Sequence, residues 1–332
     1  MSSHSLPDIS DVEAARSRIA PFAINTPLVP SALDDRLMLK LECFQPIGAF
    51  KIRGAANAIL KLSDDERKRG VACCSTGNHG RAVAAVAGRI GIRAVVCLSN
   101  LVPETKVRAI EKLGAEVRRV GYSQDDAQTE SDRLVAEQGL TEIPPFDHPD
   151  VVAGQGTIAL EILERRPEIE TLVVPLSGGG LIAGIAVAAK AVKPSIRIVG
   201  ISMDRGAAMA ESLTAGRPVA VDEYASLADS LGGGIGLANS VTFPVCQTLV
   251  DEVILVDEPA IYRGMRSMFF DERIVAEGAS CVGHAALLTD RLRIDAPAAF
   301  IVTGRNVDMR QFADVVANRP VTLGDVTVGP VD

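Results

Sequence analysis

The sequence predicts an α/β protein in which mainly parallel sheets are flanked by helices and the chain divides into two domains. Three observations carry that reading. Short apolar runs alternate with stretches of helical periodicity along most of the chain, the pattern of strand–helix–strand units in a parallel sheet. Two of these runs pass straight through a glycine-bearing turn into a helix: Ser75-Thr76-Gly77-Asn78-His79-Gly80 follows Val71–Cys74, and Ser177-Gly178-Gly179-Gly180-Leu181 follows Leu172–Pro175. Finally, 332 residues suffice for two domains or one large α/β unit.

Taken in order, helical periodicity runs from Asp11 to Ile19 and is broken at Thr26-Pro27-Leu28. Met38–Glu42 reads as a short strand leading into Pro46-Ile47-Gly48-Ala49-Phe50-Lys51-Ile52-Arg53-Gly54, a loop that opens a helix over Ile52–Leu62. Ser63-Asp64-Asp65-Glu66 starts another helical turn, which Gly70 ends. The strand Val71–Cys74, a helix to Ile90, the strand Arg93–Leu98, the helix Glu104–Leu113, the strand Ala115–Val120 and the helix Asp125–Gln138 then alternate, so residues 70–147 form a small βα domain. Phe146-Asp147-His148-Pro149 is a loop, followed by a helix from Gly156 to Arg165. Past the strand Leu172–Pro175 come a helix over Leu181–Val192 and a strand over Arg197–Ser202. Residues 206–245 are rich in turns around Gly232-Gly233-Gly234. The pattern resumes with the strand Glu252–Val256, helices Pro259–Arg273 and Ser280–Leu292, and the strand Ala298–Val302. Residues 1–69 and 148–332 make up the larger domain.

Composition narrows the function classes. A net charge of −8 argues against nucleic acid or an anionic membrane surface as partner. The absence of Trp and an aromatic content of 4% leave little for base stacking. No apolar run reaches transmembrane length, and the first residues lack a charged-then-apolar signal pattern. The six cysteines show no C-x-x-C spacing, and three of them (Cys73, Cys74 and Cys97) lie in strand-like runs as small hydrophobes, which fits a reducing cytoplasm. His4, His79, His148 and His284 are scattered, with no pair at metal-ligand spacing.

Chemistry enters with Lys51. A lysine at a loop–helix junction among apolar residues is desolvated towards its neutral, nucleophilic form; the competing reading is an exposed helix-start lysine. The two glycine turns suit anions, because helix N-termini offer free N–H groups to a ligand that glycine lets come close. For Ser75–His79 the competing reading is a simple N-cap. For Ser177–Leu181 it is a dinucleotide fingerprint, Gly178-x-Gly180-x-x-Ala183, with Asp204 as the ribose acid of a nicotinamide dehydrogenase. That alternative leaves Lys51 and Asn78 without a role.

Together the three motifs resemble the fold type II pyridoxal-phosphate enzymes and, more narrowly, the threonine/serine dehydratase and serine racemase group, over roughly Thr26 to Val316. The resemblance implies a tryptophan-synthase-β-like fold with pyridoxal 5'-phosphate between the two domains. Lys51, beside Phe50, takes the place of the Schiff-base lysine. Ser177, Gly178, Gly179, Gly180 and Leu181 would hold the phosphate, and Asn78 the phenolic oxygen. Ser75, Thr76, Gly77, Asn78 and His79 would receive the substrate carboxylate. Thr303, in Ile301-Val302-Thr303-Gly304-Arg305-Asn306, stands where a hydroxyl faces the pyridine nitrogen. A hydroxyl does not hold a full proton there, so the ring is a weaker electron sink and loss of a β-leaving group is favoured. Glu277 matches an acid near the active site, and Arg53 a brace for the lysine loop.

Three departures bear on the substrate. Ser230 replaces the family's Gly after Ala-Asp, Arg305 replaces a Gly or Ala, and Thr76 stands where racemising members carry Ser, which places it with Lys51 among the catalytic candidates. The first two resemble the threonine-dehydratase-like protein of hydroxyectoine degradation. The implied activity is elimination of water from a 3-hydroxy amino acid to give a 2-oxo acid and ammonia, by a cytoplasmic homodimer. A racemase, a β-replacement enzyme and a non-catalytic cofactor-binding protein are the alternatives. Ser202, Gly206 and Ala208 occupy the stretch where metal-binding relatives carry an acidic ligand, so no metal is expected.

Overall fold

A computed structural model describes residues 5–331 apart from Thr76 and Pro103. Among the described residues, ten of the twelve strands fall into two separate sheets. The larger runs in the order Leu28–Pro30, Leu37–Lys40, Ala298–Ile301, Thr171–Pro175, Arg197–Met203, Glu252–Val256. Its first pair is antiparallel and every other neighbour is parallel. The smaller sheet is all parallel, in the order Glu116–Arg119, Ala94–Leu98, Val71–Cys74, Thr141–Glu142. Val71–Cys74 and Ala94–Leu98 are buried at every residue. A strand covered on both faces favours a continuous apolar run over alternation, which is how these two read in the sequence.

The helix Pro149–Arg165 lies between Ile52–Leu60 and Gly180–Val192. It begins well before the predicted start at Gly156, because Gly154 and Gly156 look like helix breakers. Both instead permit close backbone approach. A Cβ on Gly154 would lie 2.6 Å from the Arg53 carbonyl oxygen, and one on Gly156 would lie 2.7 Å from that of Gly184. The helix start is capped by His148, which accepts the Asp150 N–H at 3.2 Å, with Pro149 in the first turn.

The stretch 206–245 is less irregular than expected, since it contains the helix Ala208–Ala215 and the start of Thr242–Leu249. Asn239 accepts the Phe243 N–H in the first turn of the second of these at 2.7 Å. Asp147, distant in sequence, accepts the N–H groups of Ser240, Val241 and Thr242 at 2.9 Å each. A helix Met309–Val316, capped by Asp308, and a hairpin of Val321–Leu323 with Val326–Val328 complete the chain. The edge strand Leu28–Pro30 and the two-residue strand Thr141–Glu142 are too short to show a period.

Four parallel strands deliver the predicted motifs from their carboxyl ends, where open α/β sheets bind ligands. Leu37–Lys40 leads to the Lys51 loop, Val71–Cys74 to Ser75, Thr171–Pro175 to Ser177, and Ala298–Ile301 to Thr303. The Lys51 loop is anchored by a buried ion network. Arg53, 1% exposed, forms paired hydrogen bonds to Glu42 at 2.8 Å each and to Glu161 at 2.6 and 2.9 Å. Lys40 bonds the same Glu161 and the Thr26 carbonyl. Burial alone would raise the Glu42 carboxyl, but the Arg53 charge and hydrogen bonds override it and hold it below the ordinary value. Removing one partner strands a buried guanidinium. Glu42→Ala should therefore cost about 3–5 kcal/mol in urea unfolding, whereas Asp65→Ala, in the exposed pair with Lys68, should cost under about 1 kcal/mol.

Candidate active site

Lys51 precedes the helix Ile52–Leu60 and is part-buried. Its Nζ donates to the Pro145 carbonyl at 2.7 Å and lies 5.4 Å from the centre of the Phe50 ring. No carboxylate among the described residues is paired with it. Burial therefore lowers the Lys51 amine to about 8. The loop is pinned to the end of strand Ala298–Ile301: Phe50 N–H donates to the Thr303 carbonyl, Arg305 N–H to that of Gly48, and Ala49 bridges to Gly304.

Asn78 and Glu277 meet across the sheets. The Asn78 amide nitrogen donates to the two Glu277 oxygens at 3.1 and 3.0 Å, and its oxygen accepts from Asn306 at 2.6 Å. Glu277 also accepts the Asn306 N–H at 2.7 Å and the Ser230 hydroxyl at 3.3 Å. Burial raises its carboxyl, an effect that the Asn78 and Asn306 hydrogen bonds oppose. Gly304 keeps this contact open, for a Cβ there would sit 2.5 Å from a Glu277 oxygen. His79 is buried and bonds the Ile143 carbonyl through Nε2, while its Nδ1 has no partner. Burial, and then the Lys51 charge, lower it to about 3, so the ring is neutral.

The helices Ile52–Leu60, Asn78–Ile90 and Gly180–Val192 all begin at these motifs, and no side chain caps any of them. The outlying helices Ile9–Ile19, Asp64–Arg69 and Gln124–Gln138 each carry a capping box. First-turn N–H groups left uncapped beside a lysine suit an anion. Gly178, Gly179 and Gly180 are buried against Phe146, Met209 and Thr242; Gly179 sits at φ +89°, and a Cβ on Gly180 would lie 2.9 Å from the Phe146 backbone. Ser177 is part-buried and Leu181 buried at this turn. At the neighbouring strand end Thr303 is buried, its hydroxyl 2.9 Å from that of Ser280.

The structure thus gathers Lys51, Asn78, Glu277, Ser230 and Thr303, with Ser75 and Gly77 at the head of the Asn78 helix. Thr76 lies outside the described residues. Arg305 is a difference. Its backbone joins the site, but its side chain is exposed, with the guanidinium 5.4 Å from the Phe44 ring centre. There it lines a cavity of about 570 Å³ with Arg81, Arg108 and Lys112. A cation gains more from water than from a packed site, so this outward course is the cheaper one. Sequence reasoning passed over Asn306, Ser280, Phe146 and Asp147. Asn306 was within a quoted motif; the others carry no local signal.

A desolvated lysine amine with no carboxylate partner among the described residues, in a fold whose motif helices start uncapped, suits a carbonyl-bearing, phosphorylated cofactor. The chain belongs to the pyridoxal-phosphate dependent enzyme family, which matches residues 19–304. It is 52% identical over 314 residues to a Sinorhizobium fredii protein provisionally named threonine dehydratase, covering 93% of this chain and 95% of that one. Maize serine racemase superposes with a TM-score of 0.88 at 36% identity, over 94% of this chain and 98% of that one. Threonine deaminase isoform 2 of Solanum lycopersicum, in its processed form, gives 0.87 at 31% identity, over 93% and 86%. The fold is the tryptophan-synthase-β-like one, the protein is an enzyme, and its cofactor is pyridoxal phosphate. The nicotinamide dehydrogenase reading of the glycine turn falls with this membership.

The Lys51 environment predicts its titration. In competitive acylation of cofactor-free protein followed by mass spectrometry, Lys51 reactivity should rise through pH 8 or close to it, because only the neutral amine reacts. Exposed lysines should rise near about 10.4; a Lys51 midpoint there would contradict the desolvation account.

Proposed function

We propose that the chain is a pyridoxal-phosphate-dependent ammonia-lyase that eliminates water from a 3-hydroxy amino acid; hydrolysis of the resulting enamine takes up one water and gives a 2-oxo acid and ammonia. The observation that carries this is that the loop of the desolvated Lys51 is tied, through the Phe50 N–H on the Thr303 carbonyl, to a strand end that offers a hydroxyl rather than a carboxylate. The named threonine dehydratase and threonine deaminase relatives support it. When bound, the cofactor withdraws electron density from the substrate α-carbon and makes its proton removable. The proposed roles of the chain's residues follow. Lys51 would hold the cofactor at rest and, once the substrate amine has displaced it, would take the α-proton as a free neutral amine. The Gly178–Leu181 turn, with Ser177, binds phosphate on free N–H groups. The head of the Asn78 helix, from Ser75 to His79, receives the substrate carboxylate, and neutral His79 adds no competing charge. Thr303 faces the ring nitrogen. Asn78, held by Glu277 and Asn306, presents its amide to the cofactor's phenolic oxygen.

The finer reading is a polar hydroxy amino acid, such as a 3-hydroxy-2,4-diaminobutyrate derivative of hydroxyectoine degradation. Its support is the Ser230 hydroxyl against Glu277, a polar edge where relatives of this group carry glycine. The Arg305 side chain, turned outward, adds nothing to it. Residues 70–147 are proposed to move as a small domain on their own sheet, with 1–69 and 148–332 as the large one. We place the protein in the cytoplasm, in keeping with six free, buried cysteines; no helix among the described residues is long and apolar enough to cross a membrane. A homodimer is proposed from the exposed apolar pair Ile24 and Phe44, neighbours through the hydrogen bonds of Gln45 to Ile24.

Serine racemase is the second reading, favoured by the maize structure. A panel of 3-hydroxy amino acids separates the two. Ammonia and 2-oxo acid should appear in equal amounts; inverted amino acid without either product would make the protein a racemase. Lys51→Ala should lower turnover at least about a thousandfold and keep the circular dichroism of the fold. Metal independence is also expected, since Gly206 and Ala208 offer no side-chain donor. Loss of activity in EDTA, restored by Mg²⁺, would contradict it.

A further inference from the structure

We propose that Ser280 is a positioning residue that acts through Thr303, setting the direction in which the Thr303 hydroxyl points its proton. This rests on the reading in which Thr303 faces the ring nitrogen. Ser280 closes the short turn Gly278–Ser280, and both hydroxyls are buried. The Gly304 N–H donates to Ser280 Oγ at 2.8 Å, and that oxygen lies 2.9 Å from Thr303 Oγ1 and 2.9 Å from the Gly304 carbonyl oxygen.

A hydroxyl has one proton and two lone pairs. One lone pair of Ser280 takes the Gly304 N–H, so its single proton goes either to Thr303 or to the Gly304 carbonyl. The carbonyl already accepts the Glu277 N–H at 3.0 Å. The Thr303 hydroxyl has no other partner among the described residues. Giving the proton to Thr303 satisfies a buried oxygen that otherwise has no donor, and it frees the Thr303 proton to point outward. The bonds then run head to tail, from Gly304 N–H to Ser280 to Thr303 to an external acceptor. In such a chain each donor strengthens the next. An unprotonated pyridine nitrogen is an acceptor of that kind. The reverse arrangement, with the Ser280 proton on the carbonyl, would turn the Thr303 proton inward and offer the ring only lone pairs, which suits a protonated nitrogen. Ser280 thus selects the neutral ring.

The test compares Ser280→Ala, Ser280→Thr, Thr303→Val and the double variant as holoenzymes. Cofactor affinity is measured by dialysis, the pH dependence of the bound-cofactor absorption by titration, and kcat and KM separately. Ser280→Ala should weaken cofactor binding about tenfold, the worth of one buried hydrogen bond, and should lower kcat more than it raises KM. Ser280→Thr, which keeps a hydroxyl, should restore both. In kcat and in the pH dependence of the spectrum the double variant should be no worse than Thr303→Val alone, because Ser280 reaches the ring only through that partner; the Gly304 N–H left without Ser280 Oγ is a stability cost common to both backgrounds. Additive losses, or a Ser280→Ala protein with unchanged affinity and spectrum, would overturn the proposal. If Ser280→Ala does not fold, Ser280→Cys carries the same comparison, a weaker donor in a similar volume. Failure of the underlying reading looks different: Thr303→Val would then itself leave cofactor affinity and the pH dependence of the spectrum unchanged.

Discussion

The buried guanidinium of Arg53 cannot shift without losing its pairs to Glu42 and Glu161, and the rest of the site is built around that constraint. Arg53 stands two residues after Lys51, so the start of the helix Ile52–Leu60 is locked to the turn after strand Leu37–Lys40 and to the helix Pro149–Arg165. Lys40 completes the set, so the cluster holds two cations and two carboxylates and is neutral overall. Its second consequence is electrostatic. The nearby carboxylates are consumed by Arg53 and Lys40, and none reaches the Lys51 amine. Burial then acts on that lysine unopposed and lowers its pKa; a carboxylate in contact would have raised it. Packing and reactivity are in this way the same feature.

A second tie fixes what Lys51 faces. Phe50 and Gly48 are hydrogen-bonded to the backbone of Thr303 and Arg305, so the lysine loop and the strand end move together. Asn306 extends the tie to Asn78 and, through its N–H, to Glu277. Three strand ends that belong to two sheets are thereby joined by side chains whose polar atoms are satisfied by one another.

Much of this was legible in the sequence where the signal is local. Val71–Cys74 and Glu252–Val256 stand where their apolar runs placed them, and the glycine turns lie between strand and helix as read. What escaped notice depends on partners far along the chain. Gly154 and Gly156 mimic helix breakers until Gly184 and the Arg53 backbone are set against them. The helix Thr242–Leu249 is started jointly by the local Asn239 and by the distant Asp147. Arg305 shows the converse error: its place in a motif fixes where its backbone goes, but the course of a long, charged side chain follows solvation, and this one turns to water against Phe44. Ser280 looked like one more helix-start serine. Its proposed significance lies in a single proton that can go to either of two neighbours, which no spacing rule encodes.

The central claim is that Lys51, part-buried beside the anchored Arg53 and without a carboxylate partner among the described residues, is the residue that carries the cofactor. Borohydride reduction of the holoenzyme, followed by proteolysis and peptide mass mapping, tests it most directly. The account predicts a pyridoxyl group on the peptide containing Lys51 and on no other; a label on a different lysine, with Lys51 unmodified, would contradict it.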